Sequence, residues 1–294
     1  MSDIPFTVPF ITGNERSYID EVFGNSHYAG NGPFTKRCQS WLENHLSCDR
    51  VLLTHSCTAA LEISALLLEL GPGDEVLVPS FTFVTTASSI MRSGATPVFC
   101  EIDPKTMMID LNDAKTKISE KTKAIIPVHY AGFPCQMNKI LELASEYEIY
   151  VIEDCAHAIE SKFNHQHCGT FGDIGCFSFY ATKNIAIGEG GMAISNHESL
   201  ISKVRMLGLH GLSRDAWKRY GKSGFKHYDI VRAGFKFNMS DIHASIGIHQ
   251  LNNIEKASNL LHERNCYLDS DQAVRDVMKA MKYHPYASRK NRNQ

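Results

Sequence analysis

The chain has 294 residues, a formal net charge of −2, 43% hydrophobic residues and 21% charged residues. This composition is typical of a globular protein, and the small net charge argues against a nucleic acid or an anionic membrane as partner. The first segment, MSDIPFTVPF, lacks a basic region followed by an apolar one, and no apolar run reaches the ~20 residues of a membrane span. We therefore expect a cytoplasmic protein.

The nine cysteines are scattered along the chain, and they form no C-x-x-C pair. An odd number without such pairs favours buried, reduced thiols over disulfides or a zinc site. The fourteen histidines also lack a metal-ligand spacing beside a carboxylate. No metal is predicted.

The middle of the chain alternates short β-branched runs with amphipathic stretches. Strands are predicted at 50–56, 75–80, 96–102, 123–132 and 149–157, and helices at 57–70, 83–94 and 136–148. Apolar strands that alternate with helices predict an α/β fold, in which a mostly parallel sheet carries helices on both faces.

The last third of the chain changes character. Residues 198–233 are polar and basic, and we expect a helix followed by a long loop. A long amphipathic helix is predicted at 239–265, with Ser240 and Asp241 placed to cap it. A short helical stretch at 271–284 then leads to a basic tail at 287–294, which is expected to be disordered.

Lys183 stands where the apolar run of FSFYATKNIAIGEGG (177–191) gives way to glycines. Most lysines at such a position form surface salt bridges, but a lysine amine is also a nucleophile toward carbonyl groups. Asp154 ends another apolar strand, where a buried carboxylate needs a cationic partner. A protonated pyridine nitrogen is such a partner, and Ser178 supplies a hydroxyl nearby.

Two further stretches add to this group. THSCTAAL opens a helix whose free N–H groups suit a phosphate, and PSFTF brings aromatic rings to the end of the next strand. Ligands of parallel sheets bind at the carboxyl ends of the strands, where Ser56, Ser80 and His129 join Asp154 and Lys183. An amine, a carboxylate, a phosphate-binding helix and an aromatic ring together predict a pyridoxal phosphate site.

Five stretches, in order, resemble the signatures of one family. They are THSCTAAL, PSFTFVTTA, EDCAHA, FSFYATKNIAIGEGG and GFKFNMSDIHASIGIHQL. The sequence is similar from about residue 5 to 266 to the DegT/DnrJ/EryC1/StrS family of pyridoxal-phosphate-dependent nucleotide-sugar aminotransferases. The resemblance implies fold type I of the aspartate aminotransferase superfamily, a three-layer αβα sandwich with a small C-terminal domain.

The resemblance implies roles for three side chains at the cofactor ring. Lys183 would form the Schiff base with pyridoxal phosphate and move the proton, and Asp154 would pair with the pyridinium nitrogen. His157 would lie beside the ring, although a histidine hydrogen-bonded within the core remains an alternative.

The phosphate and the ring face are assigned in the same way. Cys57, Thr58 and Ser178 would donate hydrogen bonds to the phosphate. Phe83 is placed on the ring face, and Phe81 is assigned to the core.

Other assignments concern the substrate side and a second subunit. In the family, the segment that corresponds to GFKFNMSD reaches the phosphate in the neighbouring subunit, which implies a homodimer with shared active sites. Lys236 would make that contact, with Asn238 a weaker candidate. Asn31 and Gly32 would lie near the nucleotide sugar.

The chain differs from the family near its end, because NCYLDS (265–270) passes directly into a stretch that resembles the family's final helix. We therefore expect that a block of the small domain is missing between them. We expect a large cofactor-binding domain with an N-terminal substrate-side arm at 1–235, and at 236–294 the long helix, a remnant of the truncated small domain and the tail.

Three functions remain open from the sequence. The first is transfer of an amino group from an amino acid, glutamate by resemblance, to the keto carbon of a nucleotide-linked sugar of the 4-keto-6-deoxy class. The second is a shortened, non-catalytic relative that binds the cofactor or serves as a partner subunit. The third is another fold-type-I enzyme that acts on amino acids. Lys183 argues against the family's dehydratases, which carry histidine there.

Overall fold

The computed structural model describes residues 9, 11, 13–212 and 229–256. The chain divides into two units, 1–251 and 252–294, and nearly all described residues belong to the first. The predicted domain division at residue 235 stays a prediction. The predicted helical stretch 271–284 and the tail 287–294 lie outside the described residues.

Seven strands form one sheet in the order β1-β9-β8-β5-β4-β2-β3. They are β1 (Arg50–Thr54), β2 (Glu75–Pro79), β3 (Thr96–Cys100), β4 (Thr122–Ile125), β5 (Tyr150–Asp154), β8 (Ile174–Ser178) and β9 (Gly191–Ser195). Two short strands, β6 (Lys162–Phe163) and β7 (Gln166–His167), form a separate hairpin. Only β9 runs antiparallel to its neighbours in the large sheet, which is therefore mostly parallel as predicted.

Helices cover both faces of this sheet. They are α1 (Glu15–Gly24), α2 (Pro33–Leu46), α3 (Cys57–Leu67), α4 (Val84–Ser93), α5 (Leu111–Lys117), α6 (Met137–Tyr147), α7 (Glu198–Leu207) and α8 (Asp241–Asn252). Along β2, Val76 and Val78 pack with α3 and α4, whereas Leu77 packs with α5 and α6 on the opposite face. The predicted three-layer αβα architecture is confirmed. No helix in the described ranges combines the length and the apolar character of a membrane span.

The predicted strand at 123–132 is shorter in the structure. Strand β4 ends at Ile125, and Pro127, which has no N–H to donate to a neighbouring strand, follows it. Val128 makes only an isolated bridge to Asp154, and Tyr130–Gly132 form a 3-10 turn. The sequence reasoning also did not predict β9, which separates β1 from β8.

Ser240 and Asp241 were both predicted to cap the long helix, but only Ser240 does so. The Ser240 hydroxyl oxygen accepts a hydrogen bond from the His243 N–H at 3.3 Å, as an N-cap should. The Asp241 carboxylate instead accepts from Phe34 N–H at 3.2 Å and from Thr35 N–H at 2.7 Å, at the start of α2. Asp241 is a cap of a different helix because α2 packs beside α8. Beyond residue 256 the predicted helix lies outside the described residues.

Candidate active site

A cavity of about 520 Å³ opens at the carboxyl ends of β1, β2, β5 and β8. Seven of the ten predicted site residues line it, namely Cys57, Thr58, Phe83, Asp154, His157, Ser178 and Lys183. The parallel strands bring together residues that are more than 120 positions apart in the chain.

Lys183 lies in a loop that leaves β8 and returns to β9. Main-chain hydrogen bonds close this loop, from Phe179 N–H to the Gly190 oxygen and from Ala181 N–H to the Gly188 oxygen. The Lys183 side chain is half-buried, and this burial lowers its pKa, while the nearby Cys57 and Asp154 act in the opposite direction. A larger fraction of neutral amine follows, which is the form that attacks a carbonyl.

Asp154 is 4% exposed at the end of β5. Its Oδ2 accepts a hydrogen bond from the Thr86 hydroxyl at 2.8 Å, and its Oδ1 accepts from the Ala156 N–H at 3.1 Å. Thr86 Oγ1 lies 2.7 Å from Thr82 Oγ1, so the Thr82 hydroxyl can donate in turn. The sequence analysis missed Thr86, although it lies within the PSFTFVTTA stretch, in the first turn of α4.

The N-terminus of α3 points its free N–H groups into the same region. Ser56 caps the helix, and its hydroxyl oxygen accepts from the Ala59 N–H at 3.1 Å. The N–H groups of Cys57 and Thr58 have no intrahelical acceptor, because the first turn of any helix lacks one. Together with the helix dipole they suit an anion. Gly191 is required beside them, since a Cβ atom there would lie 2.4 Å from the Cys57 nitrogen.

Aromatic rings form one wall of the cavity. Phe83 is 72% exposed, whereas Phe81 is half-buried and lines the cavity instead of the core to which we assigned it. The Phe81 ring meets Tyr130 edge-on at 4.9 Å between centroids, and Tyr130 meets His157 at 6.0 Å.

His157 lies at the cavity and is hydrogen-bonded as well. Its Nδ1 accepts a hydrogen bond from the Ala131 N–H at 3.3 Å, yet the residue is exposed and not part of the core. Desolvation by the surrounding protein lowers the pKa of His157, and the charge of Lys183 lowers it further. The lowered pKa favours the neutral form of this ring beside the lysine.

Ser56, which was predicted at the end of a strand, lines the cavity. Several other lining residues were not assigned from the sequence, namely Thr82, Thr85, Val128, Tyr130, Ala156, Tyr180, Thr182, Glu189 and Gly190. Tyr180, Thr182 and Glu189 lie in the quoted 177–191 stretch, so their proximity in sequence to Lys183 was an available signal. Of the other polar residues predicted at the strand ends, Ser80 is exposed outside the cavity lining, and His129 is completely buried below it.

Three predicted site residues lie outside the cavity lining. Asn31 Oδ1 accepts from Arg205 at 3.2 Å. Gly32 precedes α2, where a Cβ atom would lie 2.3 Å from Asp241 Oδ2. Lys236 donates to Asn238 Oδ1 at 2.5 Å. A single copy of the described chain does not bring these residues to Lys183.

Ligand atoms of His129, Glu153 and Cys155 lie within 4.8 Å of one another, which is close enough to hold a metal ion. His129 Nε2 and the Glu153 carboxylate are, however, already hydrogen-bonded to each other at 3.0 Å, and main-chain N–H groups occupy the remaining acceptor positions of Glu153. Within the described part of the chain, this trio is a hydrogen-bonded unit of the core.

The donor set of the cavity fits pyridoxal phosphate. Lys183 offers an amine of lowered pKa for the aldehyde, and Asp154 offers a buried carboxylate for the ring nitrogen. The free N–H groups of Cys57 and Thr58 and the Ser178 hydroxyl suit the phosphate.

The sequence profile of the DegT/DnrJ/EryC1/StrS aminotransferase family matches residues 9–290. The chain belongs to this family. Among curated relatives, MJ1066 of Methanocaldococcus jannaschii, an uncharacterized protein, is 44% identical over 252 residues, or 85% of this chain and 65% of its own length. SpsC of Bacillus subtilis, a spore coat polysaccharide biosynthesis protein, is 38% identical over 252 residues, or 86% of this chain and 64% of its own length.

Solved structures of family members have the same fold. The putative sugar aminotransferase Spr1654 from Streptococcus pneumoniae aligns in its PMP-form with a TM-score of 0.79 and 33% identity, over 86% of this chain and 67% of that one. A PLP-form of the same protein has been solved, and it aligns equally well. This family member spans about two thirds of the length of the relatives that it matches.

Proposed function

We propose that this family member is a pyridoxal-phosphate-dependent aminotransferase that converts a keto group of a nucleotide-linked sugar to an amine. One observation carries the proposal: the half-buried amine of Lys183, the buried carboxylate of Asp154 and the free N–H groups of α3 face one cavity. The family and its sugar aminotransferase structures support the reaction class.

The proposed roles follow from the chemistry of each group. Bound pyridoxal phosphate supplies an electron-withdrawing ring that eases loss of a proton next to an amine. Lys183 would hold the aldehyde carbon of the cofactor until the amino group of the donor displaces it, and its released neutral amine would then take and return that proton. Asp154 keeps the ring nitrogen protonated, and Thr86 orients the carboxylate. Cys57, Thr58 and Ser178 hold the phosphate.

The substrate side of the proposal is inferred from the relatives. SpsC is named for polysaccharide biosynthesis, which suits a sugar of the cell surface as the product. We extend the proposal to a 4-keto-6-deoxy sugar, to glutamate as amino donor and to a homodimer. In such a dimer, Lys236 would approach the phosphate in the other subunit, and Asn31 and Gly32 would approach the nucleotide sugar. The eight described cysteines are free, which suits the reducing cytoplasm.

The second function is that of a non-catalytic relative that binds the cofactor or serves as a partner subunit. Such a protein would keep the cofactor site and would not turn over a substrate.

An absorbance titration with pyridoxal phosphate tests the proposal. We expect a visible band with the full chain, its absence in Lys183→Ala, and its presence in Lys139→Ala, which removes an exposed lysine of α6. Glutamate should then bleach the band. A stable band that glutamate leaves unchanged would favour the partner-subunit function, and a band retained in Lys183→Ala would refute the assignment of the lysine.

A further inference from the structure

Glu153 is a completely buried carboxylate that the proposed reaction does not use. Its Oε1 accepts hydrogen bonds from the N–H groups of Phe171 at 2.8 Å and Gly172 at 2.7 Å. Its Oε2 accepts from the Gly169 N–H at 2.8 Å and from His129 Nε2 at 3.0 Å. These four donors match the acceptor capacity of an ionised carboxylate. The carboxylate charge is therefore stabilised by these donors. No acceptor position of Glu153 remains for a substrate.

His129, the side-chain partner of Glu153, is also completely buried. Its Nδ1 accepts a hydrogen bond from the Cys135 N–H at 3.0 Å, so this nitrogen carries no proton. Its Nε2 must then carry the proton and donate it to Glu153. The ring is neutral and has one defined tautomer, and we call the two residues the Glu153–His129 pair.

The pair joins segments that end at the cavity. The His129 main-chain N–H donates to the main-chain carbonyl oxygen of Asp154 at 3.1 Å. Its side chain is hydrogen-bonded to Glu153, which precedes Asp154 in β5. Asp154 points its carboxylate to the cavity, and Glu153 points away from it, because neighbouring residues of a strand face opposite sides. His129 thus fixes the end of β5 at two consecutive residues.

The Glu153–His129 pair is also connected to segments that form two walls of the cavity. Tyr130 follows His129 directly and lines the cavity, and the Ala131 N–H donates to His157. On the other side, Glu153 holds residues 169–172, which lead into β8 and so to Ser178. Gly169 is tightly enclosed there, since a Cβ atom would lie 2.4 Å from the Phe177 ring.

We infer that the Glu153–His129 pair positions the Asp154 carboxylate relative to the Lys183 amine, and that it thereby sets the affinity of the site for pyridoxal phosphate. The pair acts from below the cavity and touches neither cofactor nor substrate, so both are positioning residues. The affinity part of this inference rests on the proposed function, whereas the geometry between Asp154 and Lys183 can be tested in the cofactor-free chain.

The experiment compares His129→Leu with His129→Gln in the full chain. Leucine removes both hydrogen bonds of the ring, whereas glutamine can donate to Glu153 through its amide nitrogen and accept from Cys135 through its oxygen. Ile140→Ala is the control for a general loss of stability, because Ile140 is buried in α6 outside the cavity lining. Asp154→Asn shows the full effect of removing the carboxylate charge.

Two quantities are measured for each variant. The first is the pH midpoint for acetylation of Lys183 by acetic anhydride in the cofactor-free chain, read by mass spectrometry. We expect His129→Leu to lower it by about half a pH unit, in the direction of Asp154→Asn, because a displaced carboxylate stabilises the ammonium less. The second is the dissociation constant for pyridoxal phosphate, which should rise about tenfold in His129→Leu.

His129→Gln should restore both quantities, and Ile140→Ala should change neither. If His129→Leu loses stability but keeps the wild-type midpoint and affinity, the pair is only structural and the inference is overturned. If the wild type binds no pyridoxal phosphate while the midpoints shift as expected, the proposed function and the affinity part fail, and the positioning of Asp154 relative to Lys183 stands.

Discussion

The Thr86 hydroxyl donates a hydrogen bond to the Asp154 carboxylate at 2.8 Å, and both residues are buried. The contact links the first turn of α4 to the end of β5, across 68 residues of sequence. It leaves the second oxygen of Asp154 with one main-chain donor, Ala156. Helix α4 therefore fixes the orientation of the carboxylate that we propose for the cofactor ring.

Replacement of Thr86 by valine should test this link, because valine keeps the shape and removes the hydroxyl. We expect the dissociation constant for pyridoxal phosphate to rise about tenfold, the value of a hydrogen bond to a buried charge. Thr86→Ser should bind almost as the wild type does. Thr82→Val, which removes only the outer hydroxyl, should have a smaller effect, and equal binding by Thr86→Val and wild type would contradict the role of Thr86.

The Asp241 carboxylate should be a major determinant of stability, since it accepts three hydrogen bonds at the start of α2 while 1% exposed. We expect Asp241→Ala to lower the free energy of unfolding by about 3 kcal/mol, because it leaves buried donors without an acceptor. Asp110→Ala is the comparison, since Asp110 caps the shorter helix α5 in a more exposed place. A loss of about 1 kcal/mol is expected there. Urea unfolding measures both, and equal losses would argue against the burial of Asp241 as the cause.

Lys183 should react with acylating reagents at lower pH than surface lysines do. Burial lowers its pKa, whereas hydrogen bonds to carboxylates raise the pKa values of Lys115 and Lys117. The neutral, reactive amine of Lys183 therefore forms first as the pH rises. Acetylation of the three lysines, measured by mass spectrometry as a function of pH, gives the order directly. A midpoint for Lys183 at or above that of Lys115 would show that the charge of Asp154 outweighs the effect of burial on the pKa of Lys183.

Acid should destabilise the fold partly through His167. Its ring is 8% exposed, and its Nδ1 has no hydrogen-bond partner among the described residues. Burial lowers the pKa of His167 to about 4, and Lys162 and His45 add to the effect. The unfolded chain takes up a proton near pH 6.5, while the folded protein takes it up only near pH 4. Stability is therefore complete above pH 6.5 and is lost as the pH falls toward 4.

His167→Phe should remove this pH dependence. Between pH 6.5 and pH 4, the variant should lose about 1–3 kcal/mol less of its free energy of unfolding than the wild type does. The control is His165→Asn, an exposed position of the same hairpin with a positive φ of 68° that asparagine tolerates. Urea unfolding at a series of pH values provides the measurement. An unchanged slope in His167→Phe would mean that other groups take up the proton.

The sequence by itself determined the layered architecture and seven residues of the cavity lining. Apolar strands alternating with helices can bury both faces of a sheet in only a few ways, and parallel strands place their carboxyl ends at one edge. Asp154, Ser178 and Lys183 could thus be assigned to one place without coordinates. Local patterns also predicted helix α3, whose first turn we propose for the phosphate.

Only the tertiary structure decided which groups, distant in the sequence, are hydrogen-bonded to the residues in and below the site. Thr86 donates to Asp154, His129 holds Glu153, and Asp241 caps α2 and not its own helix. Such contacts depend on which elements become neighbours in space, and a hydrogen bond between side chains leaves no periodic trace in the sequence. The antiparallel strand β9 likewise changed the sheet through its pairing with β1 and β8, which local propensity does not encode.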